Sequence, residues 1–354
     1  MIVNRQELIH ASADALLASA RKSPIPALTC VRVSASDECL MLEGTDLQHI
    51  ATHAMPAQGA DEWEALVVGT QLAEIITKLS GDEVRLAYAG ERVVISDGRT
   101  TIKLVCRDVA DWPGWTFDDA SCCREVDCAL PHAIGAVAHA AGADDAARVW
   151  MSGVSVFSHA DETYVVATNG HRLAAHIAPG DCGKAFVVPG VAVRYMAKRV
   201  PPTTTVSVND TTLSLCSGRL AYACKLMDVP PPDMLPVIQQ ARDAAHVADV
   251  DTGAAATAIR RALIMADDPH QDEVRISLGD SGIRATSESY SGSAADVVAA
   301  VAHAQTGMAL NGRYLLDALA SFGGLAVAMR SAGPTAPLAL TTEDHVEIIM
   351  PMAR

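Results

Sequence analysis

Three clusters of residues have types from which a chemical site is built. His171 and Arg172 stand side by side after Thr168-Asn169-Gly170, a turn-forming run. An imidazole beside a guanidinium suits acid–base or binding work on an anionic substrate. The plainer reading is a satisfied pair inside a turn. Cys122, Cys123, Cys128 and His132 offer zinc-type donors close together in sequence. They lack Cys-x-x-Cys spacing and no second knuckle follows, so a linker that contains thiols is the simpler account. Asp61, Glu62 and Glu64 read as a solvated acidic loop. The motifs of common catalytic machinery are missing: no Gly-x-x-x-x-Gly-Lys-Ser/Thr phosphate loop, no Gly-x-Gly-x-x-Gly after a strand, no His-Glu-x-x-His and no nucleophile elbow. The sequence therefore predicts no metal, no cofactor and no enzyme; an enzyme acting through His171 and Arg172 is the rival reading.

The elements that would carry these residues recur three times. A helix with small apolar residues is predicted at about 5–20, again at 131–141 and again at 254–266. Ile134/Val137/Ala138/Ala141 and Ile259/Ala262/Leu263/Ala266 follow i, i+3, i+4, i+7, which puts four side chains on one face. Pairs of short strands follow: 29–36 with 40–45, 154–158 with 164–168, and 274–278 with 283–286, each pair separated by turn formers. A strand then enters a second helix, with stripes at Leu72/Ile75/Ile76/Leu79, Val193/Met196/Ala197/Val200 and Leu315/Ala318/Leu319/Phe322. The chain of 354 residues thus divides into three α+β units, each large enough for its own core.

Half the residues are hydrophobic, 19% are charged and only 4% are aromatic, so the cores must be aliphatic. The nine cysteines, an odd number, and the absence of a visible leader predict a reducing cytoplasm. No apolar run is long enough to span a bilayer. The formal net charge is −15, which repels nucleic acid at long range. Yet Arg21, Lys22, Lys78, Arg148, Arg194, Lys198, Arg199, Arg260, Arg261 and Arg313 fall on or beside the repeated helices, opposite or flanking their apolar stripes. Such a locally basic face would touch phosphates without reading bases.

Several segments resemble one family. Val165-Val166-Ala167-Thr168-Asn169-Gly170-His171-Arg172-Leu173-Ala174 is similar to the Ala-Thr-Asp-Gly-His-Arg-Leu-Ala signature of the bacterial DNA polymerase III β subunit, the β sliding clamp family. Ile349-Met350-Pro351-Met352 resembles that family's C-terminal ending. Pro24–Leu28, Gly44–Leu47, Lys225–Asp228, Pro232-Asp233 and Asn311–Leu319 resemble further segments, in order along the chain. The resemblance implies three clamp domains, at 1–123, 124–242 and 243–354, each with two helices on antiparallel sheets. Two crescents would close into a six-domain ring around duplex DNA, with the basic residues above lining the hole. It also implies a pocket for short peptides of polymerases, the clamp loader and repair proteins. That pocket would use Met151, Thr168, Gly170, His171, Arg172, Leu173, Pro232, Val237, Ile348, Met350, Pro351 and Met352. Ile102 would meet Ile264 and Met265 of a second copy in a homodimer. Asn169, Pro236 and Ala353-Arg354 depart from the family pattern, which raises the alternative of an accessory or inhibitor-resistant clamp with altered partners.

Overall fold

The threefold order expected from the sequence is present in the backbone. The structure, a computed structural model, describes residues 1–59, 61–114, 124–126, 130–143, 148–200, 204, 206–266, 272–279, 282–289 and 292–352. The first elements are β1 (Ile2–Asn4), α1 (Arg5–Ala18), β2 (Cys30–Ser36), β3 (Cys39–Thr45), β4 (His49–Pro56), β5 (Trp63–Val68), α2 (Gly69–Lys78), β6 (Glu83–Tyr88), β7 (Arg92–Ser96), β8 (Thr101–Val105) and β9 (Arg124–Val126). Next come α3 (Leu130–Val137), β10 (Val154–His159), β11 (Glu162–Thr168), β12 (Arg172–Pro179), β13 (Phe186–Val188), α4 (Gly190–Arg199), β14 (Val206–Val208), β15 (Thr212–Ser217) and β16 (Leu220–Lys225). The chain ends with α5 (Leu235–Asp243), β17 (His246–Asp251), α6 (Thr252–Leu263), β18 (Glu273–Gly279), β19 (Gly282–Ser289), β20 (Gly292–Val298), β21 (Val301–Ala302), β22 (Thr306–Asn311), α7 (Gly312–Ser321), β23 (Ala326–Arg330), β24 (Leu338–Thr341) and β25 (His345–Ile349).

Local chemistry explains the element ends. Asn4 caps α1 by accepting from the backbone N–H of Gln6 and Glu7 at 2.9 and 3.1 Å. Asp251 caps α6 and Asn311 caps α7 in the same way, each answering backbone donors that a helix start leaves unpaired. The two-residue turns β2–β3 and β10–β11 put Asp37-Glu38 and Ala160-Asp161 at positive φ, the geometry of a tight hairpin.

The chain divides into two compact units, Met1–Pro131 with Arg194–Leu226, and His132–Val193 with Met227–Arg354. The sheets explain that division, because they run across the expected thirds. In the first unit an eight-stranded sheet has the order β5-β2-β3-β4-β16-β15-β14-β9, and β4 pairs with β16 from Leu220↔His53 to Cys224↔His49. A four-stranded sheet, β1-β6-β7-β8, completes it. In the second unit a nine-stranded sheet has the order β13-β10-β11-β12-β25-β24-β23-β17-β21, and β12 pairs with β25. Its smaller sheet is β20-β19-β18-β22.

The helix stripes bury largely as expected. Leu315, Ala318, Leu319 and Phe322 are all buried, as are Leu72, Ile76 and Leu79, with Ile75 half-buried. The stripe of α4 is rotated from the expected one. Ala197 is exposed and Val200 half-buried, while Ala192 and Tyr195 go inside with Val193 and Met196. The cause is aromatic: Tyr195 stacks on Tyr222 at 4.2 Å between centroids, and His49 Nδ1 lies 3.0 Å from the Tyr222 hydroxyl.

Candidate functional site

The turn between β11 and β12 is built by its own side chains. Asn169 Oδ1 accepts from the backbone N–H of His171 and Arg172 at 2.9 and 3.0 Å. A carboxylate there would accept the same two bonds, so Asn169 preserves the turn. The Thr168 hydroxyl donates to the Arg172 carbonyl at 2.6 Å and accepts from Gly170 N–H at 3.1 Å. Gly170 has φ +86°, a conformation that favours glycine.

His171 and Arg172 have different surroundings. His171 is exposed at the tip. Arg172 turns the other way: its guanidinium donates to Asp317 Oδ2 at 2.6 Å and to the His139 carbonyl, and it lies 4.4 Å from the centre of the Tyr314 ring. Asn169 Nδ2 also donates to the Tyr314 hydroxyl at 3.3 Å. Arg172 therefore ties the turn to α7 and to the segment after α3.

Of the twelve predicted pocket residues, Val237 and Ile348 line one cavity; Thr168, Gly170, His171, Arg172 and Leu173 lie on β11, β12 and the turn between them, and Met350, Pro351 and Met352 follow β25. Leu173 is the register partner of Ile348, and Arg172 that of Ile349. Leu173 and Ile348 are buried with Ile238 and Ala241 of α5 in one apolar cluster. Above it opens a cavity of about 390 Å³ lined by Val237, Gln240, Ala241, Ala244, Pro337 and Ile348, among others. Val237 stands exposed on α5. Past the end of β25, the Met350 N–H donates to the His171 carbonyl at 2.9 Å, which brings the exposed Met350 beside the turn. The Met352 N–H donates to the Ala309 carbonyl at 2.8 Å, with Pro351 and Met352 half-buried. The Met151 carbonyl accepts from Gly142 N–H at 2.7 Å. The side-chain methyl of Met151 lies 3.6 Å from where a Cβ on Gly170 would stand. Pro232 is half-buried ahead of α5. Pro236 falls in the first turn of that helix, where a missing N–H is tolerated. Ala353 and Arg354 lie outside the described residues, as do Cys122, Cys123 and Cys128.

Sequence reasoning missed α5 and the cavity wall at Ala336 and Pro337. The helix is short, and only Ile238 and Ala241 give it periodicity, which fell inside an expected domain boundary.

Below the turn lies a buried polar network. Glu347 accepts from the Ser321 hydroxyl at 3.0 Å, and its carboxylate faces His345 Nε2 at 2.9 Å and His139 Nε2 at 3.2 Å. Burial pushes the Glu347 carboxyl up, but hydrogen bonds from His139 and His345 outweigh it and hold the carboxyl below its usual range. His176 sits among His345 and His132, at 6.0 and 5.8 Å between centroids. Burial, then the charge of His345, lowers its pKa, with His132 adding to the effect against the raising charge of Asp344. A depressed histidine stays neutral in the fold while the unfolded chain takes the proton. Its stabilisation is complete above the ordinary value of about 6.5 and is lost as pH falls through the folded value. We expect the melting temperature of His176→Gln to fall less than that of the parent chain between pH 7 and 5. Parallel melting curves would show that His176 is not the proton acceptor.

The basic residues divide into two groups. Arg21, Lys22, Lys78, Arg194, Lys198 and Arg260 are exposed. Arg199 pairs with Asp14, Arg261 with Asp296 at 2.8 Å and Arg313 with Asp272 at 2.6 Å. The Nη1 atom of Arg148 lies 3.7 Å from the Cβ position at Gly170. Among the interface candidates, Ile264 is 73% exposed, Met265 half-buried and Ile102 half-buried on β8, an open sheet edge.

Residues 1–116 match the profile of the DNA polymerase III beta subunit, N-terminal domain, and residues 241–353 match that of its C-terminal domain. The chain is 26% identical to the beta sliding clamp of Caulobacter vibrioides over 354 aligned residues, covering 95% of this chain and 94% of that one. Its fold matches the Thermotoga maritima DNA polymerase III beta subunit at a TM-score of 0.87 and 21% identity, over 100% of this chain and 99% of that one. It also matches the Bartonella birtlesii sliding clamp, solved bound to griselimycin, at a TM-score of 0.88 and 21% identity, with the same coverage.

Proposed function

The chain belongs to the DNA polymerase III beta subunit family and is a DNA sliding clamp; we propose that two copies close head to tail into a ring that carries polymerases along duplex DNA. The thirds 1–123, 124–242 and 243–354 are its three clamp domains. The reading has a non-catalytic, cytoplasmic processivity factor that binds DNA by topology. No helix among the described residues is long and apolar enough to cross a membrane, which agrees with it.

Two open edges support the ring. β8 ends the small sheet of the first unit and carries exposed Val105; β20 ends that of the second and carries exposed Val297. Among the described residues no further strand pairs with either edge, and such edges invite a partner strand. Joining one copy's β8 to another's β20 would place Ile102 near Ile264 and Met265, and two such joints close the circle. The exposed Arg21, Lys22, Lys78, Arg194, Lys198 and Arg260 are the main phosphate contacts in this reading. Arg199, Arg261 and Arg313 contribute less, because each already answers a carboxylate. Arg148 completes the set.

The observation that carries the partner site is the cavity over the Leu173–Ile348 pair, with Val237 on its wall and Met350 beside the His171 turn. A short apolar peptide would seat there, lent adaptability by Met151, Met350 and Met352. Replicative and other polymerases, the clamp loader and repair proteins would compete for it. The test is fluorescence polarisation of a labelled clamp-binding peptide. Met352→Ala and Val237→Asp should each weaken saturable binding by roughly tenfold or more, a loss of about 1.4 kcal/mol. Unchanged affinity in both would place the peptide elsewhere.

A further inference from the structure

The sheet edge at β17 and β21 gathers three metal-type ligands, two from β17 and one from 54 residues further along the chain, unrelated to the clamp reading. We propose that His246, Asp249 and His303 form a binding site for a divalent transition ion of the zinc class.

The geometry is specific. His246 Nε2 lies 3.0 Å from Asp249 Oδ1, and His303 Nε2 lies 3.1 Å from Asp249 Oδ2. One ligand atom from each of the three residues falls within 4.8 Å of the others. Ligand atoms about 2.0–2.2 Å from a tetrahedral zinc stand just over 3 Å apart, so little movement is needed to seat an ion. The imidazole rings are 4.6 Å apart at their centroids, and each faces one oxygen of the carboxylate.

The backbone makes this convergence. Residues 246 and 249 of a regular strand would point to opposite faces. Between His246 and Ala248, however, β17 shifts register against β23, a bulge that re-aims the side chain. His303 follows β21, whose Ala302 pairs with Ala248 and Val301 with Asp249. Its own N–H donates to the Val247 carbonyl at 2.8 Å. The bulge and the returning strand together turn the three side chains toward one point.

Two imidazoles and one carboxylate suit zinc, nickel or cobalt rather than magnesium or calcium, which prefer all-oxygen shells. Each neutral imidazole presents a lone pair at Nε2 once its proton resides on Nδ1, a change of tautomer and not of charge. The half-exposed position leaves at least one coordination place to water. A bound ion would pin the two-residue strand β21 to β17.

The experiment titrates Zn²⁺ into the full, chelator-stripped chain by calorimetry and Co²⁺ by absorption. Cysteines elsewhere can also bind these ions, so the cobalt spectrum must lack the sulfur charge-transfer band of thiolate ligation. One ion per chain, with affinity lowered at least about tenfold in His303→Ala and in Asp249→Asn, is the expected result. Circular dichroism of both variants checks that they remain folded. Failure to bind at micromolar ion, a thiolate band, or binding unchanged in the two variants would overturn the proposal.

Discussion

Gly44→Ala is expected to lower the urea midpoint of the chain sharply, although it adds one methyl group. A Cβ at Gly44 would stand 1.9 Å from the Ala15 carbonyl oxygen, 2.6 Å from its carbon and 2.7 Å from Ser19 Oγ. Two of those atoms are backbone of α1 and cannot rotate away. The helix must lift from β3, and it is held down by buried Leu8, Ala11 and Ala15. Ser19 Oγ also ties the end of α1 to the strand below, its one proton shared between the Ala15 and Cys30 carbonyls at 2.8 and 3.2 Å. Overpacking of this kind costs about 3 kcal/mol. Gly135→Ala is the control: nothing lies within 4 Å of its added Cβ, and in α3 the change should be neutral or stabilise by about 0.5–1 kcal/mol. Equal midpoints for parent and Gly44→Ala would mean that α1 packs with more slack than its contacts imply. The chain has two compact units, so midpoints are compared directly without assuming one transition.

The same position shows how much the sequence reveals. Gly44, Ala167 and Ala285 occupy corresponding places in the three repeats, and Ala167 and Ala285 are both about 1% exposed. The small residue in each repeat was legible as part of a strand pattern. Its reason, close approach of a helix in the first repeat, was not, because no local signal reports what crosses a strand. Period and turn residues placed the hairpins well, since β2–β3, β10–β11 and β18–β19 are set by local alternation and turn chemistry. Pairings of distant strands, such as β4 with β16, were invisible, and they are what join the thirds into larger sheets. Charge was the least legible quantity. Arg199, Arg261 and Arg313 looked like phosphate contacts on a helix face, yet each finds a carboxylate contributed by a separate element. The turn before Arg172 is legible in Thr168-Asn169-Gly170, but the partners that decide Arg172's role, His139, Tyr314 and Asp317, lie 33 to 145 residues away.

Arg172→Lys should destabilise the second unit nearly as much as Arg172→Ala, whereas Asp317→Asn should do little. The three contacts of Arg172 differ in weight. Asp317 is half-exposed, so its ion pair is screened and contributes about 0–1 kcal/mol. The bond to the His139 carbonyl is charge-assisted and partly buried, and contributes about 1.5–3 kcal/mol. Stacking on Tyr314 adds about 1 kcal/mol. A lysine keeps the charge but cannot bridge two acceptors in a plane while lying flat on the ring. The expected loss is therefore about 2.5–5 kcal/mol for Arg172→Ala, nearly as much for Arg172→Lys, and under about 1 kcal/mol for Asp317→Asn. Calorimetric melting of the full chain measures the first quantity. Peptide titration adds a readout that simple destabilisation would not move at temperatures where the variants are folded. The His171 carbonyl holds the Met350 N–H, so loosening the turn should weaken peptide binding even though Arg172 does not line the cavity. Lost stability with unchanged peptide affinity would assign Arg172 to the fold alone. Lost affinity in a folded Arg172→Lys chain would make it a positioning residue for the partner site.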